Sequence, residues 1–125
     1  MVSRLHVSRG RFRRYVSDAV EDLPTGFRRA AENLLVVVEP SPQAGDYANP
    51  RRREEGPLFG IYRGVPLSER SAGYQLAAPD MIAVFRRPLL RHCRRRKVLR
   101  EEIRRTVVHE FGHYLGLDEA AVEHV

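Results

Sequence analysis

Apolar positions recur along the chain at two spacings, and the change of spacing separates helices from strands. Phe12, Tyr15, Val16, Ala19, Val20 and Leu23 keep the three- and four-residue rhythm that lines one face of an α-helix. They predict an amphipathic helix over residues 11–22, ended by Pro24, whose ring removes the N–H a further turn would need. A second short helix is expected over about residues 25–33, with Phe27 and Ala30 inward. Residues 34–38 form a run rich in β-branched side chains between Asn33 and Pro40, which predicts a buried strand. Residues 58–62 and 81–85 predict two more strands, stopped by Gly64-Val65-Pro66 and by Pro88. Pro88 also opens a short helix over residues 89–95.

The longest periodic segment is 98–115, rich in helix formers, with Gly116 where a helix end favours a left-handed residue. A last short helix is expected from residue 118 onward. Between these elements lie a long loop over residues 40–57, holding Pro40, Pro42, Pro50 and Pro57, and a polar stretch over 68–79. No segment repeats another. The order helix, strand, strand, strand, helix predicts an α+β fold with a small mixed sheet, not an alternating α/β one.

Composition narrows the class. The 125 residues fit one domain over 1–125, and 42% hydrophobic with 30% charged residues is the balance of a globular chain. The longest aliphatic run, residues 34–38, is far short of the roughly 20 residues of a membrane-spanning helix. Residues 1–15 are basic but lack the apolar stretch of a secretory signal, so the expected location is the cytoplasm. Cys93 is the one cysteine and cannot form an internal disulfide. Its basic neighbours would lower a thiol pKa, but no base partner stands nearby in sequence, so it reads as structural or semi-exposed. The net charge is +6, carried almost wholly by arginine. Such a surface attracts polyanions. The arginines are scattered in pairs and triplets without interleaved aromatics or a nucleic-acid motif, which favours a solvated surface over a nucleic-acid partner.

The chemistry concentrates in one motif: His109, Glu110 and His113 form H-E-x-x-H. Residues i and i+4 lie on one helix face, so two imidazoles can converge on one ion about 2.0–2.1 Å from each nitrogen. Glu110 projects about 100° away around the helix, beside the metal, where it can take a proton from water as general base. Ile103, Val107, Phe111, Tyr114 and Leu115 lie on one side of the helix, and His109 and His113 with Glu102 and Thr106 roughly opposite. Arg100 and Arg104 fall near the apolar side and are expected to snorkel at its margin. With 5 His, 11 Glu and 125 residues, chance supplies roughly 0.02 such motifs, so a zinc site is the reading. Catalytic zinc takes three protein ligands and a water. Gly116 lets the chain turn back after the helix, and the third ligand is expected from Glu119, then Asp118, then His124; helix capping is the alternative role for the two acids. His6 and His92 read as surface residues.

The run from His109 through Gly116, with Leu115 and Leu117, resembles the active-site helix of metzincin peptidases, whose third histidine position is here Glu119. More widely, the chain resembles the small bacterial minimal zincins, zinc metallopeptidases of one compact domain. The resemblance rests on the N-terminal helix with its acidic end and the Leu23-Pro24 that follows, on Val36-Val37-Val38-Glu39, Leu58-Phe59-Gly60-Ile61-Tyr62 and Gly64-Val65-Pro66-Leu67, and on Pro79-Asp80-Met81-Ile82 and Arg86-Arg87-Pro88-Leu89. It implies a zincin fold with the HExxH helix near the C-terminus. It also implies a peptide or protein substrate that adds to an edge strand above the cleft, for which residues 81–85 are the candidate. Tyr62, Tyr74 and Arg63 are candidates to stabilise the oxyanion. Metzincins carry a methionine turn beyond the third ligand, whereas the methionines here are Met1 and Met81. That departure keeps a second class in view: a zinc-stabilised interaction module, closed by a fourth ligand such as His124.

Overall fold

The structure, a computed structural model, describes residues 5–48, 56–65 and 80–116. The first helix, α1 (Arg9–Glu21), starts where Ser8 accepts the Arg11 N–H at 3.1 Å. It buries Phe12, Val16 and Ala19, the inward positions of the predicted stripe. After Pro24 come α2 (Thr25–Ala30) and a 3₁₀ turn (Ala31–Asn33), which together fill the second predicted helix. Strand β1 (Leu35–Glu39), the short helix α3 (Ala44–Tyr47), β2 (Gly60–Arg63) and β3 (Met81–Phe85) follow. Two helices close the described chain, α4 (Arg86–His92) and α5 (Arg96–Leu115). The molecule is α+β, as the element order predicted.

The strands form a mixed sheet in the order β1-β3-β2. β1 runs parallel to β3 with Leu35 opposite Met81, and β2 runs antiparallel to it with Tyr62 opposite Ile82. Two expectations change here. The 81–85 strand is central, bonded on both sides, and is not an edge open to a peptide. Among the described strands β1 lies at an edge, and its side chains are half-buried or exposed, with Leu35 47% exposed, so it is not the buried strand its composition suggested. Both corrections have one cause. An apolar run shows that a strand packs, but strand order is set by pairings distant in sequence.

Side chains alternate across the sheet. Ile82, Val84 and Tyr62 face α1 and α5 and join Phe12, Val16, Leu99, Ile103, Val107 and Phe111 in the main core. Ile61, Ala83 and Phe85 face the other way, with Val37 and Leu58. Across that second face Arg63 spans from β2 to Glu39 of β1, with both bonds at 2.9 Å, and to Asp46 of α3 at 2.7 and 2.9 Å. Part of the predicted 40–57 loop is therefore ordered as α3 and tied to the sheet.

Three smaller expectations meet their outcome in the helices. α4 begins at Arg86, three residues before the predicted start, with Pro88 in its first turn, where a missing N–H forfeits no helical bond. Arg100 snorkels as expected, its guanidinium 5.3 Å from the centre of the Tyr15 ring. Cys93 is buried, and burial followed by the Glu102 charge pushes its thiol up to about 11, so its basic neighbours in sequence do not activate it. Among the described residues no helix is long and apolar enough to cross a membrane.

Candidate metal centre

The site is built on the last turns of α5, and the opposite face of that helix fixes its orientation. Ile103, Val107, Phe111 and Tyr114 are all buried. Phe111 packs on Phe27 of α2 with ring centres 5.5 Å apart, and Tyr114 meets the Tyr62 ring edge-on at 5.6 Å. The Tyr114 hydroxyl donates to the Ala30 carbonyl at 3.3 Å. With one side locked in the core, the face bearing His109 and His113 must turn outward, half-buried. Gly116 ends the helix in the left-handed conformation, φ 86°, as the sequence required.

The Nε2 atoms of His109 and His113 lie 3.1 Å apart, their ring centres 4.7 Å apart and their planes 77° from each other. Glu110 Oε2 lies 3.9 Å from His109 Nε2. One ligand atom from each of the three residues falls within a 4.8 Å cluster. Two nitrogens that close can both lie about 2.0–2.1 Å from one ion, so the donor set fits zinc.

The second oxygen of Glu110 has a partner the sequence reading did not foresee. Oε1 accepts the backbone N–H of Tyr62 at 2.9 Å. In the antiparallel β2–β3 ladder the Phe85 N–H reaches the Phe59 carbonyl, so Gly60 and Tyr62 turn their backbone groups away from β3. Glu110 therefore binds the outer edge of β2. The approach depends on Gly60. A Cβ there would stand 2.5 Å from Thr106 Cγ2 and 2.9 Å from the Ala83 carbonyl oxygen, so any side chain would push β2 and α5 apart. Thr106 is buried and donates its hydroxyl to the Glu102 carbonyl at 2.7 Å, which turns its methyl toward Gly60. A glycine inside a strand pattern was the available signal, since it marks close backbone approach.

Of the predicted site residues, His109, Glu110 and His113 come together. Asp118, Glu119, His124 and Tyr74 lie outside the described residues. His6 and His92 are exposed and outside the cluster, with the His92 ring tilted against Phe59 at 5.0 Å between centres. Tyr62 reaches Glu110 by its amide, and its hydroxyl donates to buried Asp80 at 2.7 Å. Arg63 faces away from the site, held by Glu39 and Asp46.

A mixed sheet against a long helix, with two histidines and a glutamate at H-E-x-x-H spacing on that helix, defines the zincin class. A family model described as zincin-like metallopeptidase matches residues 31–125, and the chain belongs to that family. The matched span begins in the 3₁₀ turn, so α1 and α2 precede it. No curated protein matches the chain.

Proposed function

We propose that the chain is a zinc-dependent peptidase in which Glu110 is the general base. The observation that carries this reading is the division of labour within one carboxylate. Tyr62 N–H holds Oε1, and Oε2 lies 3.9 Å from His109 Nε2. His109 and His113 would hold the ion, and Glu119 is the proposed third ligand, with Asp118 next; the left-handed turn at Gly116 supports a chain that folds back there. An ion so held would supply a bound water with its pKa lowered toward about 7 and a Lewis acid for the substrate carbonyl. Glu110 Oε2 takes the proton of the attacking water and returns it to the leaving amine.

The first test is metal content in protein purified without added metal, beside a His113→Ala variant. About one zinc per chain, lost in the variant, is expected. An apoprotein that takes up no zinc at neutral pH would end this reading. Cleavage of an unstructured peptide library then separates a peptidase from a zinc-stabilised interaction module.

A further inference from the structure

The other edge of the sheet carries a different surface. Leu35 N–H bonds to the Asp80 carbonyl at 3.1 Å, which sets the parallel ladder so that Leu35, Val37 and Glu39 bond toward β3. Val36 and Val38 therefore turn their N–H and C=O groups outward, and among the described residues no backbone bond meets them. A groove lies between this edge and α1, floored by Val16, Val20, Val36 and Val38. Its rim on α1 reads Arg13, Ser17, Glu21, one residue per turn. An apolar edge of this kind, with no lysine, proline or bulge along it, is a template for strand pairing.

We propose that β1 pairs antiparallel with β1 of a second copy of this chain, about a twofold axis at Val37. Two independent features point to a second copy over other extended partners. The first is the ladder. A twofold at Val37 sets Val36 opposite the partner's Val38, and both residues face outward, so each couple exchanges two backbone hydrogen bonds. The second is the rim charge. The same axis sets α1 antiparallel to its mate, so Arg13 meets the partner's Glu21 at one end and Glu21 meets the partner's Arg13 at the other, with Ser17 at the centre. A surface that complements itself in charge is what an isologous dimer requires. The twofold stands perpendicular to the sheet, so the two sheets join into one and both metal centres stay at its far edges. The inference does not depend on the proposed peptidase activity.

Sedimentation velocity of the full chain from about 1 to 100 μM at physiological salt tests it. The expected result is a concentration-dependent species of twice the 14.4 kDa chain mass. Arg13→Glu or Glu21→Arg alone sets like charges together at both rim ends, and should weaken the dimer roughly five- to tenfold. The double variant R13E/E21R restores opposite charges and should recover dimerisation. Val36→Pro deletes an outward N–H and should also weaken the dimer while its circular dichroism stays that of the parent chain. A monomer throughout the range overturns the proposal, even if it binds extended peptides at β1. So does a dimer indifferent to both the charge swaps and Val36→Pro.

Discussion

The two outer described strands of the sheet, β1 and β2, end in opposite situations. At β2 a glycine lets α5 lie against the strand, and the outward amide of Tyr62 is met by Glu110. At β1 every position but Glu39 is aliphatic, and the outward amides of Val36 and Val38 face a groove. The difference lies in what the neighbouring helix supplies. α5 brings a carboxylate to its edge, whereas α1 brings Val16 and Val20 to the groove, with charges only at the rim. The Tyr62 amide is bonded to a carboxylate of the candidate metal cluster, and an edge amide left open is available for assembly.

The largest expected effect separates the two roles of Glu110. Glu110→Gln keeps a carbonyl oxygen that can accept the Tyr62 N–H, so the edge contact and the zinc should remain. It loses the basic oxygen beside the histidines. Peptide hydrolysis should fall about 10²–10⁴-fold while metal content stays near one per chain. Turnover equal to the parent protein would remove Glu110 from the role of base.

Next comes the contact that brings β2 to α5. Gly60→Ala forces a methyl against Thr106 Cγ2 and the Ala83 carbonyl, and should cost about 1–3 kcal/mol in urea unfolding. Gly45→Ala, where a Cβ meets nothing within 4 Å, is the matched control and should be near neutral. Equal stability of the two variants would mean that the helix does not need Gly60.

These residues also show what the sequence can and cannot disclose. The helices α1 and α5 were legible because their apolar positions repeat every turn, and the H-E-x-x-H spacing is itself a helical distance. The strands were legible as runs, but their order was not. Leu35 to Val38 and Met81 to Phe85 are equally apolar, and only the pairing makes one an edge and the other central. Glu110 was visible as a member of the metal cluster, but it also accepts a backbone amide 48 positions away, and a backbone amide leaves no mark in composition. Arg63 was a candidate to stabilise the oxyanion. Alternation along β2 places it on the opposite face from Tyr62, where acids of β1 and α3 collect it.

That arginine links the two edges, and the third prediction cuts the link. Its side chain is 24% exposed, Glu39 23% and Asp46 6%, so the group is sheltered but not dry. Arg63→Met leaves two carboxylates near each other without their cation, and should destabilise the fold by about 1–3 kcal/mol. The same group predicts acid sensitivity. Burial alone would raise the Asp46 pKa, but hydrogen bonds from Arg63 and Gln43 and the Arg63 charge outweigh it, so the carboxyl titrates below its ordinary value. A lowered pKa means that the stabilisation is complete above the ordinary aspartate value of about 3.9 and is lost as the pH falls through the folded value. Stability followed from pH 6 downward should therefore decline below about pH 4, and this part of the decline should shrink in Arg63→Met. An unchanged acid profile in the variant would show that the clamp contributes nothing there.

The smallest effect is also the sharpest test of which way β1 faces. If Leu35, Val37 and Glu39 bond toward β3, proline at position 37 removes a ladder bond and should cost about 3 kcal/mol. Proline at position 36 removes an N–H that points outward, and the extended conformation of Leu35 suits a residue before proline. Val36→Pro should then cost about 1 kcal/mol or less, most of it from the apolar contact a valine makes with the core. Both variants are read by urea unfolding at low protein concentration, where any dimer has dissociated and only the protomer is measured. A larger cost at 36 than at 37 would reverse the ladder phase. Val37 would then be the residue facing the open edge, and Val36 would bond to β3.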